Sequence, residues 1–309
     1  MRVRVIASIL GVAAVWATFP AAASAHPGSG IVVDGQGQVF FQDSAGRAIW
    51  KIDAAGKLTK FCDKVGGHWM ALDAEGRFAR TDLKRFKRVT PVGAKPALIV
   101  AEGGAPIVVN NDGNLYYGLS LLGGHKIAVG LTRISPDGKQ KLFAPALKET
   151  VEKLGISGLA TGSDGSLYLA CNSAVLKVEM DGTFNKVASP VEVKDCDVDF
   201  PDNDPTFPMP ALRGIAVDSR GTVYAAATGC HRVMKLTPDG KVETVLKAER
   251  PWAPTGVAVS GEDIYVLEYT NATAGADKGW RPRVRKLGRD GKVTTLATIP
   301  ENEPQRRPK

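Results

Sequence analysis

The sequence predicts an all-β fold, a six-bladed β-propeller with four antiparallel strands per blade. Two observations carry this. The first is a strand–turn–strand unit that recurs six times: GIVVDGQGQVFFQD from Gly30, WMALDAEGRFARTD from Trp69, PIVVNNDGNLYYGL from Pro106, GLATGSDGSLYLAC from Gly158, GIAVDSRGTVYAAA from Gly214 and GVAVSGEDIYVLE from Gly256. Self-similarity at a spacing of roughly 40 to 50 residues, built only of strands, marks blades arranged about an axis. The second is a further hairpin after most of these units, as in IWKIDAAGKLTKFC from Ile49, RISPDGKQKLFA from Arg133, VLKVEMDGTFNKVA from Val175, VMKLTPDGKVETVL from Val233 and VRKLGRDGKVTTLA from Val284. Asp-Gly between alternating apolar positions is a strong hairpin signal, because Gly accepts positive φ and Asp bonds its own turn.

Taken in order, blade one runs from Gly30 to Cys62, and blade two opens at Trp69 with a second strand expected to end at Asp82. Blade three carries a long connection, LSLLGGHKIAVG, from Leu119. Blades four and five are the most regular and are joined by the acidic, Pro-rich crossing KDCDVDFPDNDPTFPMP from Lys194. Blade six carries the connection TNATAGADKGWRP from Thr270. Each blade buries its faces against its neighbours, so the ring needs no helix and leaves only short edges.

Flanking segments read differently. Arg2 and Arg4, the apolar run from Val5 to Trp16 and Ala23-Ser24-Ala25 predict a signal peptide over residues 1–25, with His26 first in the exported chain. The propeller is assigned to residues 26–299, and the proline- and charge-rich residues 300–309 to a disordered tail. A secreted or periplasmic location follows, with no membrane span. The formal net charge of +8 is scattered, apart from LKRFKR at Leu83–Arg88 and the tail. Nothing interleaves aromatics with bases in the manner of nucleic-acid binders, so no nucleic-acid partner is expected.

Beyond the repeat itself, HPGSGIVVD, ATGCHRVMKLTPDGKV and TGVAVSGEDIYVLEYT make the whole mature chain resemble the NHL-repeat and SMP-30/gluconolactonase-like propellers, in particular secreted bacterial members of unassigned function. The resemblance implies a choice among lactone hydrolysis, lyase chemistry on cyclic peptides and ligand binding. A gluconolactonase-like metal site implies a Glu near the first strand and Asn-Gly opening a middle blade, whereas Ser29-Gly30 and Ser157-Gly158 stand here. Glu268 holds a second-strand end where streptogramin-lyase repeats often carry Glu, without a matching catalytic His.

Topology says where a site would lie. The residue before each first strand and the end of each second strand open on one face, the mouth of the channel. The leading positions are Ser29, His68, Ala105, Ser157, Arg213 and Thr255, and the second-strand ends include Asp43, Asp82 and Glu268. These three acids fall on adjacent blades once the ring closes, with His68 beside them, and form a candidate site for a divalent cation, Ca or Mg. Within it Glu268 and His68 are the catalytic candidates. The competing expectation is that each Asp caps its own turn. For ligand binding, Arg213, Thr255, Ser157, His231 and Trp280 are the candidates, with Phe207, Arg281 and Arg283 able to add contacts.

Asp195, Asp197 and Asp199 keep the spacing that opens an EF-hand loop, but Phe200 and Thr206 stand where Gly and Glu are needed, so a solvated loop is expected, with a noncanonical calcium site as the alternative. Histidines other than the terminal His26 are His68, His125 and His231, without close metal spacing. Of the four cysteines, Cys196 and Cys230 are expected to pair, with Cys171 a competing partner. Three classes of function remain: a monomeric binding propeller for a small molecule, polymer or protein at the mouth; a metal-assisted hydrolase or lyase; and a structural component of the envelope.

Overall fold

A computed structural model describes residues 27–83, 86–90, 95–101, 103–119, 130–196, 209–272 and 279–300. It is a six-bladed β-propeller. Blade one is β1 (Ile31–Val33), β2 (Val39–Asp43), β3 (Ala48–Ile52) and β4 (Leu58–Asp63); blade two is β5 (Trp69–Asp73), β6 (Phe86–Arg88) and β7 (Ala97–Ala101). Blade three is β8 (Ile107–Val109), β9 (Leu115–Leu119), β10 (Gly130–Ile134) and β11 (Gln140–Phe143); blade four is β12 (Gly158–Thr161), β13 (Leu167–Cys171), β14 (Ala174–Val178) and β15 (Phe184–Ala188). Blade five is β16 (Leu212–Val217), β17 (Val223–Ala227), β18 (Arg232–Leu236) and β19 (Val242–Lys247); blade six is β20 (Trp252–Ser260), β21 (Asp263–Thr270), β22 (Pro282–Leu287) and β23 (Val293–Thr298). One short helix, α1 (Lys148–Leu154), joins blades three and four, an element absent from the sequence reading.

Five blades are meanders of four antiparallel strands. The polar turns form as their residues dictate: Gly165 and Gly221 take φ of +85° and +79°, and Asp218 accepts the N–H groups of Arg220 and Thr222 at 2.9 Å. The innermost strands pack side by side around the axis, and β20 meets β1 to close the ring.

Each junction between blades carries its own apolar core. Phe41 and Ile31 meet Leu267 and Tyr269 where blade one abuts blade six, while Phe40 and Ile49 meet Met70 and Leu98 where it abuts blade two. Ile107 packs on Ile99, Leu159 on Tyr116, Ile215 on Tyr168 and Val257 on Ala216 around the rest of the ring.

The glycines that open the repeats belong to this closeness. A Cβ on Gly158 would lie 2.1 Å from the Arg213 carbonyl oxygen, and one on Gly256 would lie 2.4 Å from that of Ser29. Adjacent inner strands thus approach to a distance only glycine permits.

Blade two departs from the expected pattern. Among the described residues it has three strands, and β7, not the segment ending at Asp82, lies beside β5. That segment is drawn out of the ladder by side chains. Phe78 is fully buried, its N–H donates to Asp73 Oδ2 at 2.9 Å, and the Arg88 guanidinium donates to the Phe78 and Thr81 carbonyls. The expected signal peptide, His26, the tail after Pro300, His125, Phe207, Asp197 and Asp199 lie outside the described residues.

Candidate functional site

The site is assembled by the segment that leads into blade one. Pro27, Gly28, Ser29 and Gly30 are all buried, and their polar groups reach four blades. Gly28 N–H donates to Ser44 Oγ of blade one at 2.8 Å, and Ser29 N–H to the His68 carbonyl of blade two at 2.7 Å. The Pro27 carbonyl accepts from Arg213 of blade five at 3.4 Å, and the Gly28 carbonyl from Thr255 Oγ1 of blade six at 2.8 Å. This segment therefore crosses the mouth of the channel.

Arg213 is the dominant charge there. No acidic side chain pairs with it among the described residues, and loss of hydration brings its pKa down to about 10, which leaves it cationic at neutral pH. His68, on the opposite side of the ring, is held below the usual imidazole pKa by burial and by the Arg213 charge, so it is neutral at pH 7. The Arg213 charge is therefore felt at His68 across the ring, and the guanidinium gives this end of the channel a positive potential.

The acidic constellation does not assemble. Glu268 is fully buried and grips two guanidiniums, Arg283 and Arg285, which project on the same side of β22. Arg283 also stacks over the Trp252 ring, 4.2 Å from its centroid. A carboxylate held by two cations has no charge left to attract a third. Asp43 accepts from the Gly46 N–H at 2.8 Å and from Trp50 Nε1 at 3.4 Å, which is the turn-capping arrangement. Burial pushes its pKa up, against the lowering effect of those two bonds and of Lys60.

Asp82 lies at the opposite face, next to Thr81, whose hydroxyl bonds the Pro136 carbonyl in a blade-three turn. Among the described residues no three His, Cys, Asp or Glu side chains stand close enough to hold a metal ion. The residues singled out for a divalent cation do not fit one.

The other candidates distribute as follows. The Thr255 hydroxyl is buried and engaged with Gly28. Ser157 Oγ donates to the Ala170 carbonyl at 3.0 Å and accepts from Asn172 N–H at 3.1 Å, within its own blade. His231 is buried, with Nδ1 2.7 Å from the Trp252 carbonyl, and braces blade five against blade six. Trp280 packs on the core between blades six and one, and its buried indole N–H has no partner among the described residues. Of the named set, Arg213 and His68 are the two whose electrostatics are linked, through the Arg213 charge. The Glu268 pairing was missed although β22 reads Arg283-Val284-Arg285, a period-two placement of two cations on one face.

Cys196 and Cys230 form a disulfide with Cα atoms 4.9 Å apart, tying the crossing between blades four and five to blade five. Arg232 reinforces it, donating to the Asp195 carbonyl at 2.7 Å. Cys171 is buried, with its thiol pKa pushed up to about 12, so it is inert; Cys62 is half-buried.

The profile of the SMP-30/Gluconolactonase/LRE-like region matches residues 27–273. The protein belongs to this family. No curated protein matches it in sequence. Among solved structures it is similar to virginiamycin B lyase from Staphylococcus aureus (15% identity, 87% of this chain and 84% of that one, TM-score 0.50). It is likewise similar to a gluconolactonase from Xanthomonas campestris (15%, 79% and 83%, TM-score 0.53) and to a calcium-binding protein, regucalcin, from Agrobacterium tumefaciens (15%, 78% and 81%, TM-score 0.51). At these identities the likeness is one of fold. Among the described residues no helix is long and apolar enough to cross a membrane.

Proposed function

We propose that the protein is an exported propeller that binds a small anionic ligand, a carboxylate, at the mouth of its channel. Arg213 carries this reading: a half-buried guanidinium without an acidic partner among the described residues, held by a long bond to the Pro27 carbonyl. An incoming carboxylate would give it the bidentate partner that guanidinium geometry favours. His68 would donate or accept at the ligand's other polar groups. The disulfide accords with an oxidising compartment.

A second reading rests on His68. A neutral imidazole facing a bound carboxylate is a proton acceptor, and its burial keeps it in that form. On this reading His68 takes a proton from the carbon beside the bound carboxylate, the C–H electron pair forms the new double bond, and the bond from the next carbon to a leaving group breaks, as in a lyase elimination.

Titration calorimetry with acetate, lactate, succinate, citrate and gluconate tests the binding function. Arg213→Gln should abolish whichever interaction is found, and chelators should leave it intact. Unchanged affinity in Arg213→Gln, or loss of binding on chelation, would overturn the reading.

A further inference from the structure

The face opposite the mouth holds a cavity of about 460 Å3, between blades two and three. Its walls are Arg77, Arg80, Thr81 and Asp82 from blade two and Pro136 and Asp137 from a blade-three turn. It exists because the repeat is broken there. The segment that would have been the second strand of blade two is pinned outside the ladder by Asp73 and Arg88, and Thr81 ties it to Pro136. Departures from a repeat that are built by dedicated side-chain bonds are where a repeating fold hosts sites of its own.

The charges in this cavity are of both signs. Neither Arg77 nor Arg80 has an acidic partner among the described residues. The exposed Arg77 also reaches a second blade-three turn, between β8 and β9, where a Cβ on Gly113 would come within 2.5 Å of its Nη1. Asp82 is exposed at the wall, and Asp137 is bonded to Lys139 and to the Ser135 hydroxyl while its oxygens keep further acceptor capacity. A simple anion drawn to the two guanidiniums would face two carboxylates. A simple cation would face two guanidiniums. A molecule with one charge of each sign meets both.

We propose that this cavity binds a zwitterionic small molecule, an α-amino acid, with its carboxylate on Arg77 and Arg80 and its ammonium towards Asp82 and Asp137. The volume falls in the range of small-ligand pockets. The guanidinium fork suits a carboxylate, and carboxylates suit an ammonium. The site is separate from the mouth, so one chain would hold two ligands on its two faces.

Calorimetry of the full chain with glycine, alanine and serine tests the proposal, with acetate and methylammonium as the two half-molecules. Binding of at least one amino acid is expected, about tenfold or more tighter than either half. The double variant Arg77→Gln/Arg80→Gln should weaken it at least about tenfold with unchanged circular dichroism, and both side chains are exposed, so folding should survive. Asp82→Asn should weaken amino-acid binding and leave acetate unaffected. Arg213→Gln should change nothing here, which separates this site from the mouth. No amino-acid binding, binding indifferent to the double variant, or acetate binding as tightly as the amino acid would each overturn it.

Discussion

The hydroxyl of Thr255 donates to the carbonyl oxygen of Gly28 at 2.8 Å, so the inner strand of blade six is bonded to the segment entering blade one. No strand is shared between these blades, since each is built from consecutive residues. Besides the apolar core at this junction, closure is supported by this bond and by Tyr269, whose hydroxyl donates to the Gln42 carbonyl at 2.6 Å and accepts from Ser44 N–H at 3.2 Å. Thr255→Val keeps the shape and removes the donor, leaving a buried carbonyl without its partner. Denaturant unfolding should report a loss of about 1–3 kcal/mol.

Glu268→Gln should be among the most damaging single changes. It leaves Arg283 and Arg285 with their charges but without the carboxylate between them. The expected cost is about 3–5 kcal/mol, read as a lower denaturation midpoint. A metal-ligand role would instead predict a fall in bound metal with stability nearly kept.

His68 makes stability depend on pH. Its folded pKa lies below the ordinary 6.5, so between those two values the unfolded chain binds more protons and stability rises with pH. The contribution is complete above 6.5 and is lost as pH falls through that window. His68→Gln should flatten this part of the profile in denaturation series from pH 5 to pH 7.

How much of this was legible in the sequence differs from residue to residue. The turns were, because Asp218, Gly221 and their equivalents act within a few positions of themselves. The leading glycines were visible as repeat starts, but the reason for them was not, since Gly158 answers to a carbonyl more than fifty positions away. Blade two misled because Phe78 sits at an apolar place in the pattern and yet is buried by leaving the ladder. Topology set Arg213 and His68 among six leading positions, but nothing in the sequence singled them out from the other four. The fate of Glu268 did not, because the length of the connection before Trp280 hides the register that sets Arg283 opposite it.

Gly158→Ala tests the close approach of the inner strands. Its new Cβ would have to displace the Arg213 backbone, at a cost of roughly 1–3 kcal/mol, and would disturb the Arg213 side chain with it. Ligand binding at the mouth should weaken in the same variant, whereas the equally small change Gly35→Ala, where a Cβ meets nothing, should leave both unchanged.

Cys196→Ser should free Cys230 for thiol reagents, and unfolding should become easier by about 2–4 kcal/mol, the scale for a loop closed over 34 positions. Cys171 should stay unreactive until the chain unfolds, because its thiol is buried and protonated.

The path of residues 27–30 also sets the two ends of the propeller apart. Pro27 lies at the axis beside Arg213, whereas Pro300 follows the outermost strand of blade six and is exposed at the rim. Anything fused directly ahead of Pro27 starts inside the opening and competes with whatever enters it. A fusion past Pro300 hangs from the circumference and leaves both faces clear, so immobilising the protein by that end is the arrangement under which its two faces can be assayed together.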